Sequence, residues 1–163
     1  MEIVTGPAYV ESKRQVMLDD VYNRRILELA ADIPHQGRLA APDASATAHS
    51  KLCGSTVTVD LKMQGDVVSD FAHQVQACAL GQASSSIMAR NIIGATASEL
   101  RDIRDCARRM LKEHGAAPTG KWEDLRVLAP VRDYKARHAS TLLTFEAVVE
   151  AISKIEAVRK AAV

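Results

Sequence analysis

The sequence predicts an α+β fold, a small antiparallel β-sheet packed against several α-helices. Three observations carry that prediction. Val57, Val59, Leu61 and Met63 alternate with Thr56, Thr58, Asp60 and Lys62, the period of a strand with one buried face. A Gly follows at once, at Gln64-Gly65, where a tight turn would reverse the chain. Beyond Cys78 the apolar residues recur at helical spacing almost to the end. Strands joined by a tight turn and segregated from helices read as α+β.

Taken in order, residues 1–16 form a polar, weakly patterned lead-in, expected to be a flexible tail or a start-site extension. They lack the basic start, apolar stretch and small-residue cleavage site of a secretory signal. A single domain is expected over residues 17–160. Its first helix fits residues 17–31, with Tyr22, Ile26 and Leu29 on one face and Asp19 or Asp20 as cap. Pro34 and Gly37 stop it. Residues 37–51 read as a loop rich in Ala, Ser, Thr and Pro, with a weak signal for a third strand within 38–53. The second hairpin strand runs from Val67 to Ala77, with Phe71, His73 and Val75 on one face.

A helix fits Leu80–Ile93. Another fits Ala97–Glu113, opened by the capping-box pattern Thr96-x-x-Glu99 and closed by Gly115. Trp122–Val131 is ambiguous, a short helix ended by Pro130 being one reading. The last helix covers Ser140–Arg159, with Leu142, Phe145, Val149 and Ile152 as its buried stripe.

Composition narrows function by exclusion. The 163 residues suit one core; 47% are apolar and 25% charged, the mix of an ordinary globular protein. A formal charge of +1 gives no broad field for nucleic acid or an anionic membrane. The basic run Arg101–Lys112 is interleaved with Asp102 and Asp105, as on a solvated helix face. No apolar run approaches a bilayer span. Without a signal sequence a cytoplasmic protein is expected, where three cysteines stay reduced. Ser84, Ser85 and Ser86 fall inside a predicted helix and form no nucleophile elbow. There is no phosphate-binding loop, dinucleotide fingerprint or CxxC pair.

The cysteines carry the remaining chemistry. Cys53 enters the first hairpin strand and Cys78 leaves the second, so antiparallel pairing brings them to one end of the sheet. Two thiols there make half a metal site; two buried small hydrophobes are the alternative. Cys78 also precedes a helix, whose free N–H groups and dipole favour a thiolate, the form that binds metal or attacks a persulfide. Cys106, between Ile103 and Met110, reads as structural. His138 stands at the entry to the last helix, as a surface residue, cap or ligand. His49 could reach Cys53, whereas His73 lies on the apolar strand face.

Cys78-Ala79-Leu80-Gly81-Gln82-Ala83-Ser84-Ser85-Ser86-Ile87-Met88 resembles the second cysteine segment of the NifU amino-terminal, IscU and SufU family of iron–sulfur scaffold proteins. Cys53-Gly54 before an alternating strand resembles the first, and Tyr22 with Pro34–Gly37 resembles the amino-terminal segment. Arg137-x-x-Ser140 with Leu143, Phe145, Ala147 and Val148 resembles the third. The long stretch between Cys78 and Ser140 is closer to the SufU branch.

The resemblance implies a scaffold or carrier more than an enzyme. Its family site uses three Cys and an Asp to hold a nascent [2Fe–2S] cluster, iron or zinc. A cysteine desulfurase supplies sulfur and iron–sulfur recipient proteins receive the cluster. Ser55 stands where the family has Asp, and Ser140 where it has the third Cys. Ser is a poor ligand because its hydroxyl stays protonated near neutral pH. The ligand set expected here is therefore Cys53, Cys78 and His138, with one exogenous ligand. Cys53 and Cys78 are also the candidate persulfide acceptors of a zinc-dependent sulfurtransferase reading. A metal-free protein-binding module is the further alternative. Leu128-Ala129-Pro130-Val131-Arg132 loosely resembles the segment that IscU offers to an Hsp70-type chaperone.

Overall fold

The computed structural model describes residues 24–163 together with Gly6 and Pro7. The expected lead-in, the start of the first helix, its Asp19 or Asp20 cap and Tyr22 lie outside the described residues, apart from Gly6 and Pro7 in the lead-in. Helix α1 occupies the described residues 24–31 and buries Ile26 and Leu29. Then come strands β1 (Ala44–His49), β2 (Thr56–Gln64) and β3 (Val67–Gln76), and helices α2 (Ala79–Asn91) and α3 (Ala97–Lys112). Successive 3-10 turns fill Gly120–Asp133 and Lys135–Arg137, and α4 (His138–Ala161) ends the fold.

The sheet is antiparallel in the order β1-β2-β3. Alternation sends Val57, Val59, Leu61 and Met63 into the core. The β2–β3 turn is Gly65-Asp66, one residue later than expected, with Gly65 at φ +63°. The weakly signalled third strand is β1, paired along β2 from Ala44↔Leu61 to His49↔Thr56.

Asp60 departs from the alternation: it is buried although it shares the polar face. Arg38 grips its carboxylate through Nε at 2.8 Å and a terminal nitrogen at 3.0 Å, while the Ser45 hydroxyl and Leu39 N–H also donate to it. Helix α4 is the structural axis, packing on β1, β2, α2 and α3. It begins two residues before the expected Ser140. Pro130 sits inside the 3-10 segment and does not end it. Trp122, Leu125, Leu128 and Val131 anchor that segment in the core. The Thr96–Glu99 capping box forms, and Glu99 also accepts from Trp122 Nε1 at 3.1 Å, tying the 3-10 segment to the start of α3. Among the described residues no helix is long and apolar enough to cross a membrane.

Candidate functional site

The end of the sheet where β2 begins and β3 finishes carries the thiols. Thr56 pairs with Gln76, so Cys53 and Cys78 flank the same rung. Cys53 lies in the loop 50–55 between β1 and β2. That loop is closed by Ser50 N–H to the Ser55 carbonyl at 2.8 Å and Gly54 N–H to the Ser50 carbonyl at 2.9 Å. Gly54 takes φ +69°, a conformation costly for residues with a Cβ. The closure sets Cys53 Sγ 3.0 Å from Ser55 Oγ and 3.5 Å from Ser50 Oγ. Both serines are buried and Cys53 is exposed.

Cys78 is the N-cap residue of α2 and is half-buried. Gly81, one turn on, is the close-approach point of α2. A Cβ there would lie 2.6 Å from Ala77 Cβ and 3.2 Å from the Ser140 carbonyl oxygen. Its absence lets the start of α2 meet the start of α4, and Cys78 Sγ comes 3.8 Å from Ser140 Oγ. Ser140 is buried and donates to the Arg137 carbonyl at 3.1 Å.

The same groups set the thiol acidity. The Ser50 hydroxyl, then the Ser55 hydroxyl and N–H, lower Cys53 to about 7 against the effect of desolvation; Ser140 adds to the lowering. Burial pushes Cys78 up, but the Gly81 N–H, the Ser140 hydroxyl, the Leu80 N–H and the Arg137 side chain outweigh it, so the net direction is down. Cys106 is raised by burial, and its thiol lies 3.7 Å from the Ala116 carbonyl.

Residues 21–141 match the family described as the NifU-like N terminal domain. The chain belongs to that family. A nitrogen-fixing NifU-like protein (N-terminal) from Brucella abortus, known from its crystal structure, is 67% identical. It superposes with a TM-score of 0.83 over 86% of this chain and 97% of that one. The iron–sulfur cluster assembly scaffold protein IscU of Thermotoga maritima is 28% identical over 83% of this chain and 94% of its own. The fold is shared with a putative SUF-system scaffold from Fervidobacterium islandicum, at 22% identity and a TM-score of 0.73 over 78% of this chain and 93% of that one.

In this NifU-like chain the side chains beside the two thiols are the hydroxyls of Ser55, at Cys53, and Ser140, at Cys78. Among the described residues no group of three or more His, Cys, Asp or Glu side chains converges as ligands. What this end of the sheet brings together is two cysteines flanked by the Ser50, Ser55 and Ser140 hydroxyls. His138 is buried, with Nε2 at 3.0 Å from the Val131 carbonyl and 3.1 Å from the Arg132 carbonyl. In this arrangement that nitrogen serves the backbone. His49 is exposed and bonds through Nδ1 to Thr56 Oγ1 at 3.0 Å. His73 is in the core with Nε2 at 2.8 Å from the Pro34 carbonyl.

Two contributors escape sequence reasoning. Ser50 reaches Cys53 only because the loop closes on itself, and no local pattern announces that. Arg137 is marked by its place three residues before Ser140, yet its action on Cys78 depends on how α2 meets α4.

Proposed function

We propose that this chain is an iron–sulfur cluster assembly scaffold or carrier that receives iron or a nascent [2Fe–2S] cluster as cargo at Cys53 and Cys78. The observation that supports the reading is that two acidified thiols, from different elements, flank the Thr56–Gln76 rung at one end of the sheet, with Cys78 Sγ 3.8 Å from Ser140 Oγ. Thiolates are the ligands such cargo needs. The similarity to the Thermotoga maritima scaffold protein IscU supports the same reading. With two thiolates the cargo draws its other ligands from outside the pair, which suits release to recipient proteins. His138 could join as a ligand through Nδ1 with Nε2 kept on its carbonyls, or through Nε2 once that nitrogen leaves them. A cysteine desulfurase supplies the sulfur, in a reducing cytoplasm where free thiols persist.

A second reading, on the SufU side of the family, is favoured by the exposure and acidity of Cys53. The Cys53 thiolate attacks the outer sulfur of a desulfurase persulfide. A new S–S bond forms on Cys53, the donor's S–S bond breaks, and the donor leaves as its own thiolate. Zinc would then order the site. A chaperone that takes the 128–132 segment would have to draw Leu128 and Val131 out of the core.

The test is purification without oxygen, with iron, zinc and acid-labile sulfide measured in the parent and four variants. Cys53→Ser and Cys78→Ser should each abolish bound iron and sulfide. Ser140→Cys, restoring a third thiol, should raise retention, and His138→Ala reports whether the imidazole takes part. Zinc alone selects sulfur transfer. Protein that holds no metal yet binds a desulfurase overturns both readings in favour of a protein-binding module.

A further inference from the structure

On the other side of the first turn of α4 lies a cleft of about 410 Å³, lined by Leu111, Lys112, His114, Arg132, Lys135, His138 and Ala139. Its charged side chains are all basic. The acids nearest in sequence, Glu113 and Asp133, do not line it. Outside the cleft the described cations divide: Arg24, Lys51, Lys62, Arg109, Arg126, Arg137, Arg159 and Lys160 are scattered over the chain without a carboxylate partner, and the rest are matched. Arg25, Arg38, Arg90, Arg101, Arg104, Arg108, Lys121 and Lys154 each pair with a carboxylate. Among the described residues Lys112, Arg132 and Lys135 pair with none. Three unmatched cations thus converge on one concavity in a chain of formal charge +1.

We propose that this cleft binds the phosphate group of a small organic phosphate. The volume suits a small ligand and not a protein surface. Arg132 Nε donates to the Ala129 carbonyl at 2.9 Å, which fixes the guanidinium and leaves its terminal nitrogens for a ligand. Lys112 and Lys135 add point charges from two other directions, an arrangement for a multiply charged oxyanion. Leu111 and Ala139 give an apolar wall for an organic portion. The two helix ends nearly offset each other: α3 finishes at Lys112 with its negative end and α4 starts at His138 with its positive end. The cations therefore set the sign of the field.

The test is calorimetric titration of the full chain with inorganic pyrophosphate, on protein with and without bound metal. Saturable one-to-one binding is expected in both. The double variant Arg132→Gln/Lys135→Gln should bind at least about tenfold more weakly, whereas Lys62→Gln/Lys160→Gln removes the same charge elsewhere and should change affinity little. Lys112→Gln alone, at the exposed end of α3, provides a variant with little risk to folding and should weaken binding in the same sense. Equal weakening by both double variants would overturn the proposal, since it would mean diffuse charge attraction. So would an absence of binding by pyrophosphate, or binding of a Glu-rich peptide in its place, which would reassign the cleft to a protein partner. Because the readout is anion binding, it stands or falls separately from cargo binding at the thiols.

Discussion

Two hydroxyls, those of Ser50 and Ser55, lead the acidification of Cys53, and no cation is needed for it. A thiolate accepts their hydrogen bonds more strongly than a thiol does, so the charged form is favoured. The consequence is a thiol near half ionisation at pH 7. Alkylation of Cys53 by iodoacetamide, followed by peptide mass spectrometry, should accelerate as pH rises and level off with a midpoint at about 7. Cys106 is raised above its ordinary 9.0 by burial and should lag far behind. Ser55→Ala removes the nearest hydroxyl and should move the Cys53 midpoint upward; an unmoved midpoint would assign the acidity elsewhere. The placement of Cys53 and Cys78 at one end of the sheet was legible, because alternation fixes a hairpin and a hairpin fixes which ends lie together. Ser50 was not legible, nor was the orientation of His138. Both depend on a loop closure and a rotamer that no periodicity encodes. Asp60 was misleading for a related reason: the alternation places it outward, and its partner Arg38 is remote in sequence.

At the scale of elements, the site depends on how closely α2 approaches α4. Gly81 is the contact point, and the atoms a Cβ would strike belong to Ala77 and to backbone, so neither can swing aside. Gly81→Ala would gain up to about 1 kcal/mol in helix propensity. It must also force the helices apart, a cost of roughly 1–3 kcal/mol for overpacking. Net destabilisation is expected in urea unfolding, with Cys78 becoming less acidic as Ser140 recedes. A variant as stable as the parent, with Cys78 unchanged, would show that the approach is not tight. The elements themselves differ in how plainly they were written. β2 and β3 carry strong apolar contrast. β1, Ala44–His49, has almost none: only Ala46 is buried, so its pairing comes from β2 and not from its own pattern. The 3-10 segment hides because its turns share buried residues at near-helical spacing and Pro130 reads as a stop. Proline lacks the N–H and fixes φ near the helical value, and the 3-10 segment runs through Pro130 without ending.

Across the whole molecule, the thiol site joins parts of the chain that the core otherwise holds separately. Cys53 belongs to the loop between β1 and β2, Cys78 to the start of α2, and Ser140 to the first turn of α4, the helix on which β1, β2, α2 and α3 all pack. An ion or cluster that bridges the two thiols therefore binds only when sheet and helices are assembled. Its free energy adds to folding by mass action, about 2.7 kcal/mol when the free ion stands a hundredfold above its dissociation constant. For a domain of this size that corresponds to a rise in Tm of roughly 5–10 °C. Differential scanning calorimetry with and without added zinc, and again after chelation, should show that rise appear and vanish. It should be absent in Cys53→Ser and in Cys78→Ser alike, because either substitution leaves the ion tied to a single element. A rise that survives in one of the two would mean that the ion is held by one thiol and does not bridge the sheet end to the helix layer. The two thiols at this end of the sheet would then not be working as one site, and the cargo reading would lose its structural basis.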